Sequence, residues 1–226
     1  MFLNQNRGFL SETPPLVKNL IIINLIMFVA TQIIGDFMYE KFSLFYFGSQ
    51  FFKPYQLVTH MFMHGGFAHI FFNMYTLYIF GCVLERVWGS QKFLFYYLVT
   101  GIGAALIHNG VIYLEVSSLQ GALESGNIMA SAKINQILMT PTVGASGAIY
   151  GLLLAYGMLF PNNVMQLIIP PVALKAKYFV LIFGGLELVL GLTNTGSNIA
   201  HFAHLGGMIF GFFLIRYWKK NNRMYY

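Results

Sequence analysis

Six long apolar runs separated by polar stretches organise this sequence, and each has the length of a helix that crosses, or nearly crosses, a bilayer. They predict helices from Leu20 to about Phe37, Phe67 to about Leu84, Phe93 to about Leu114, Ser146 to Phe160, Tyr178 to about Leu192 and Ile199 to about Trp218. The fourth run is short. From Ser146 to the residue before Pro161 it has 15 residues, about 22 Å at the usual rise against a hydrocarbon core about 30 Å thick. Ser146 is therefore predicted to start below the membrane surface. Non-helical backbone at that depth needs protein cover or a wet cavity, so the stretch before Ser146 implies an aqueous recess within a bundle.

Two connecting segments carry their own signal. Between Asp36 and Thr59 the chain is crowded with Phe37, Tyr39, Phe42, Phe45, Tyr46, Phe47, Phe51, Phe52 and Tyr55, residue types that settle at the headgroup boundary, which predicts an outer interfacial segment. From Glu115 to Val143 the sequence is polar and is read as an outer loop whose last residues descend to Ser146.

Composition sets the class. Hydrophobic residues make up 57% of the 226 residues and charged residues 9%, with a mean hydropathy of +0.64, far too apolar for a soluble domain. The fold class is all-α, a polytopic membrane protein. No 20–50-residue period repeats. The division expected is a short cytoplasmic segment over 1–18, one six-helix membrane domain over 19–218 and a cytoplasmic tail over 219–226.

Orientation follows from the basic residues. With the N-terminus inside, Arg7, Lys18, Arg86, Lys92, Lys175, Lys177, Arg216, Lys219, Lys220 and Arg223 are cytoplasmic and only Lys41, Lys53 and Lys133 are outside. The net charge of +6 is thus explained by orientation and lipid headgroups, and no nucleic-acid partner is expected. Lys18 before an apolar stretch has the look of a signal peptide. The stretch is longer than an h-region and lacks a small-residue cleavage site, so it is read as a retained span. The single cysteine, Cys82, has no intrachain partner and is read as packing.

Polar residues inside the helices fall in one layer. Measured from the cytoplasmic ends, His69 is 16 residues above Glu85, Asn73 is 12 above it, Ser146 is 15 above Pro161 and His204 is 12 above Arg216, heights of about 24, 18, 22 and 18 Å. Residue types in that layer suit acyl transfer. A serine hydroxyl becomes a nucleophile when a base takes its proton, and neutral imidazole is the usual base near neutral pH. Ser146 and His204 fill those roles, while His69, the Asn73 amide and the Ser146 backbone N–H at a helix N-terminus can serve an oxyanion. No Asp or Glu lies near this layer on those three helices, which predicts a dyad and not a triad. Tyr150, one turn below Ser146, can pack against the His204 ring. Gly147 with Gly151 and Gly207 with Gly211 form small-xxx-small patterns that let the fourth and sixth helices approach.

With these residues in this order, the chain resembles the bacterial rhomboids, six-helix intramembrane serine proteases. The resemblance runs from about Asn19 to Trp218 and rests on Gly144-Ala145-Ser146-Gly147 as a GxSG motif, His69-Ile70-Phe71-Phe72-Asn73 as HxxxN, and Ala203-His204-Leu205-Gly206-Gly207 in the last helix. It implies a catalytic dyad of Ser146 and His204, an oxyanion hole served by His69 and Asn73, and support of the histidine by Tyr150. It also implies transmembrane protein substrates cut in or near the membrane, commonly after a small residue, and a place in the bacterial inner membrane. No cofactor or metal is expected. One departure stands out: many members carry a Trp-Arg pair in the first outer loop where this chain has Tyr55-Gln56, so that loop is expected to be anchored differently.

Other readings of single residues remain. Ser146 can be a plain N-cap. His60, His64 and His69 fall near helical spacing, yet no HExxH accompanies them, and hydrogen bonding near the outer interface is the expected role of His60 and His64. His201 is the alternative base, and His108 near an outer helix end is expected to be solvated. Glu187 lies about 15 Å above Lys177. A charge at mid-membrane costs about 2.5–3.5 kcal/mol on insertion scales, so this carboxyl is hydrogen-bonded or functional, and a structural hydrogen bond is expected below the serine layer. Asn109 and the Glu85-Arg86 pair are expected to be structural, the pair at a cytoplasmic helix end. The leading function is a protease. The runner-up is a catalytically silent rhomboid-like binder of membrane segments, and a transporter using Glu187 is more distant.

Overall fold

The structure is a computed structural model that describes residues 12–166, 172–193 and 198–221. Of the basic residues used for orientation, Arg7 and Arg223 lie outside the described residues, as does most of the 1–18 segment. The described chain is a helical bundle of α1 (Pro15–Ile34), α2 (Asp36–Phe42), α3 (Gln56–Thr59), α4 (Phe67–Trp88), α5 (Ser90–Glu124), α6 (Met129–Met139), α7 (Ser146–Leu159), α8 (Ala176–Leu192) and α9 (Asn198–Lys220). A two-stranded antiparallel ribbon, β1 (Val164–Gln166) and β2 (Ala173–Lys175), pairs Met165 with Leu174 between α7 and α8. Among the described helices, α1, α4 and α5 are long and apolar enough to cross a membrane. Large apolar side chains such as Ile33, Phe72 and Leu181 face outward from α1, α4 and α8, as lipid contact requires.

Helix ends follow local chemistry. Pro15 opens α1, where a missing N–H costs nothing. The next two amides donate to the buried Glu85 carboxylate, Leu16 at 2.9 Å and Val17 at 2.8 Å, and Ser90 Oγ adds a third bond at 2.6 Å. Arg86 Nη2 donates to the Glu12 carbonyl at 2.8 Å. The Glu85-Arg86 pair thus fastens the start of α1, a carboxylate at the positive end of a helix. Gly35 ends α1 with φ +69°, so the first helix stops three residues before the predicted Phe37, and α2 follows at a new angle.

The main boundary error is at the outer end of the third helix. α5 runs to Glu124 and not to about Leu114, and α6 occupies much of the stretch read as loop. A polar composition misled the reading: Glu115 to Glu124 is polar because it projects past the lipid, yet it is rich in good helix formers. At 35 residues, α5 is about 52 Å long. Glu115 pairs with Lys133 of α6 at 3.0 Å, which ties the projecting end to the returning helix.

α5, α7 and α9 form the packed centre, and missing side chains set their spacing. A Cβ on Gly207 would collide with the Gly147 carbonyl oxygen, so α7 and α9 touch backbone to backbone there. The other two glycines have a different partner. A Cβ on Gly151 would lie 2.6 Å from Thr100 Cβ, and one on Gly211 would strike the Tyr96 hydroxyl, so both accommodate α5 rather than each other. Tyr96 Oη also donates to the Gly151 carbonyl at 2.8 Å. The small-residue patterns therefore seat two helices against a third, with one direct α7–α9 crossing.

That crossing is testable by overpacking. Gly207→Ala places a methyl against backbone that cannot rotate away, and a loss of about 1–3 kcal/mol is expected, read as a lower midpoint of thermal unfolding in detergent. Gly185→Ala, where a Cβ meets nothing within 4 Å, should leave the midpoint unchanged.

Candidate active site

The approach to Ser146 is non-helical, and its backbone partners come from the aromatic outer segment. Leu44 and Thr142 exchange two amide bonds, at 2.9 and 2.8 Å, and Gly144 N–H donates to the His60 carbonyl at 3.0 Å. Ser49 Oγ holds the Leu138 carbonyl at 2.6 Å. Buried backbone that enters a membrane protein without helical pairing is thereby satisfied. Gly144 has φ +132°, and a Cβ there would sit 2.9 Å from His69 Nε2. Only glycine allows the chain to turn into α7 with the His69 ring against it.

Ser146 is the first residue of α7, and His204 Nε2 lies 2.8 Å from its Oγ. The Tyr150 ring stacks on the His204 imidazole, centroids 4.3 Å apart and planes inclined by 6°. Asn73 follows His69 by one turn of α4; it is buried, and its Nδ2 has no hydrogen-bond partner. A small cavity of about 50 Å³ opens beside the pair, lined by Ser146, His204, Gly144, His60, His108 and Thr142. It has room for about two or three waters. The structure thus brings together Ser146, His204 and Tyr150, with His69 against the Gly144 turn.

Glu187 reaches this group from α8. One carboxylate oxygen, Oε1, accepts the Tyr150 hydroxyl and lies 3.0 Å from His204 Nδ1; the other, Oε2, lies 2.6 Å from His201 Nδ1. The contact with His204 is close but not well directed, so Nδ1 lacks a fully formed hydrogen bond. The expected hydrogen bond of Glu187 is present, but its position is a correction: the carboxylate is in contact with the histidine of the serine layer. Backbone height separated Glu187 from Ser146, whereas the lower turn of Tyr150 and the inward reach of His201 and His204 close the gap.

Glu187, His201 and His204 each offer a ligand atom within 4.8 Å of the others, a set compact enough for a metal ion. In this structure the carboxylate instead faces hydroxyl and imidazole donors. His60, His64 and His69 form no such set among the described residues.

Other residues sort as follows. His60 Nδ1 pairs with the Gln56 carbonyl at 2.8 Å, as expected of it. His64 does not match its expectation: it is fully buried, both ring nitrogens lack partners, and it packs edge-on against His69. His108 is not solvated. It is buried with Nε2 2.7 Å from Thr142 Oγ1, because the outer segment covers the end of the helix face that carries it. Asn109 is structural and accepts the Phe47 amide at 2.9 Å. Gln56 was missed as an anchor. Fully buried, it accepts the Lys53 amide at 3.1 Å and donates to the Phe51 carbonyl at 3.1 Å, whereas Tyr55 is exposed. An amide, with both donor and acceptor, thus folds the first outer loop around itself.

Comparison with known proteins identifies the family. The Rhomboid domain family matches residues 51–220. RHOMBOID-like protein 12, mitochondrial, from Arabidopsis thaliana is 31% identical over 197 residues, covering 84% of this chain and 54% of that protein. Rhomboid protease AarA from Providencia stuartii is 30% identical over 156 residues, 67% of this chain and 51% of its own. Rhomboid protease GluP from Bacillus subtilis (strain 168) is 31% identical over 163 residues, 70% of this chain and 25% of its own. The chain spans about half the length of the first two of these relatives. With apolar spans, the short apolar helix α7 and a family match over more than half its length, this multi-pass membrane chain belongs to the rhomboid family.

Proposed function

We propose that the protein is an intramembrane serine protease that cuts membrane proteins in or near their transmembrane segments through a Ser146–His204 dyad. The single observation that carries this reading is the 2.8 Å contact between Ser146 Oγ and His204 Nε2 beside a water-sized cavity at the head of a helix too short to span. A hydroxyl and an imidazole at that distance are placed for proton transfer.

In this mechanism Ser146 Oγ attacks the carbonyl carbon of the scissile bond while its proton passes to His204 Nε2. Negative charge then develops on the substrate oxygen. Asn73 supplies an unpaired buried amide donor, and His69 and the Ser146 N–H at the start of α7 supply two more. His204 returns the proton to the leaving amine as the C–N bond breaks, which leaves an acyl group on Ser146. Water from the recess hydrolyses that ester with His204 again as base. Tyr150 keeps the imidazole plane fixed by stacking.

Location follows from the same reading. A bacterial inner-membrane protein with both termini in the cytoplasm is supported by the ten-to-three distribution of basic residues and by the bacterial relatives, while the Arabidopsis relative is named as mitochondrial. Expressed in a bacterium, a C-terminal alkaline phosphatase fusion should be inactive and a C-terminal fluorescent fusion bright; the opposite pattern contradicts this orientation.

Activity is tested with purified protein and a model substrate with one transmembrane segment, reconstituted together in vesicles. Cleavage is expected from the wild type, with Ser146→Ala and His204→Ala each slower by about four to six orders of magnitude, as in soluble serine hydrolases. Cleavage by Ser146→Ala at the wild-type rate contradicts the proposal, and absence of cleavage and probe binding in the wild type favours a silent binder of membrane segments.

A further inference from the structure

We propose that Glu187 is a positioning residue for the reaction: it holds His204 as the Nδ1–H imidazole, aims Nε2 at Ser146, and faces the imidazolium that forms when the serine proton moves. The proposal rests on the dyad reading above and adds a third member carried by α8.

A carboxylate buried to 7% exposure within a membrane bundle is expensive unless donors surround it. Three groups do so: the Tyr150 hydroxyl from α7, and the His201 and His204 ring nitrogens from α9. On α8 itself the only other charged residue is Lys177, near its opposite end. Tyr150 and His201 need no help from His204 to satisfy the carboxylate. They fix its orientation, one on each oxygen, and so leave Oε1 3.0 Å from His204 Nδ1.

The same nitrogen supplies the second half. His204 Nδ1 is buried and has no other partner. To accept the Ser146 proton, Nε2 must be unprotonated, so the hydrogen of neutral His204 resides on Nδ1. The nearest acceptor to that hydrogen is Glu187 Oε1. When Oγ bonds to the substrate carbon, the proton goes to Nε2 and His204 becomes a cation with Nδ1–H directed at a carboxylate that stays ionised. Nε2 then gives its proton to the leaving nitrogen as the C–N bond breaks, and His204 returns to neutrality. Contacts of this kind are often loose before substrate binds and tighten at the transition state. Tyr150 gains a double role, since one side chain stacks on the imidazole and also orients the carboxylate beside it.

The test compares Glu187→Gln and Glu187→Asp with the wild type, each as full-length protein in detergent, with Ser146→Ala as the blank. The readouts are kcat, KM and the pH profile on a fluorogenic transmembrane substrate. In Glu187→Gln, kcat should fall about 100-fold or more, with KM changed by less than about twofold. Its acid limb should move to lower pH by about one unit, because the cation loses its counter-charge. Glu187→Asp retains the charge and should keep the acid limb at the wild-type position with an intermediate kcat.

A Glu187→Gln protein with wild-type kcat and an unmoved acid limb overturns the proposal, as does a loss confined to KM. If the Gln variant does not fold, the Asp variant decides: an intermediate kcat with an unmoved acid limb supports the proposal, and a wild-type kcat or a limb displaced as for a lost charge overturns it. Failure of the wild type to cleave is a different result, and it refutes the dyad reading itself.

Discussion

The constraint on which the structure depends is the length of α7. Fourteen residues rise about 21 Å, some 9 Å less than the hydrocarbon they must cross. The missing height has to be made up by non-helical chain, and such chain carries amides that lipid cannot satisfy. The outer segment supplies the partners: Leu44 pairs with Thr142, the His60 carbonyl takes the Gly144 amide, and Gln56 folds the loop that presents them. A small recess follows from this arrangement, and Ser146 lines it with His204, His60, His108 and Thr142 among mostly apolar neighbours. The aromatic segment at the membrane surface is thus a structural requirement of the short helix.

A second consequence is convergence. With the serine at the head of a short helix, its base comes from a neighbouring helix. The shared backbone contact of Gly147 and Gly207 brings α9 close enough for His204 to reach it. α5 makes that contact durable, since Thr100 and Tyr96 fill the spaces left by Gly151 and Gly211. α8 then closes the far side of the imidazole with Glu187. Each of these helices contributes at least one short-range constraint.

How much of this was legible in the sequence depended on whether the signal was periodic. Six apolar runs foretell the apolar helices α1, α4, α5, α7, α8 and α9, and of the residues that height along them assigns to one layer, Ser146, His204 and His69 meet at the Gly144 turn, because rise per residue converts position into depth. Glu187 escaped that logic. Height measures backbone, and a tyrosine and two histidines reaching from adjacent turns span the difference. The outer end of α5 was misread because apolar periodicity ends where lipid ends, while the helix continues into water and is held there by Glu115 and Lys133. Gln56 and His108 were not legible for a different reason: their environments are made by irregular segments that fold over them, and neither has a pattern along the chain.

The central claim is that a hydroxyl activated by imidazole stands in a wet recess within the bilayer. Labelling of the native protein with a fluorophosphonate, followed by peptide mapping, tests it most directly. One adduct is expected, on the peptide that carries Ser146, and it should be lost in His204→Ala. An adduct on another residue, or undiminished labelling of Ser146 without the imidazole, would contradict it.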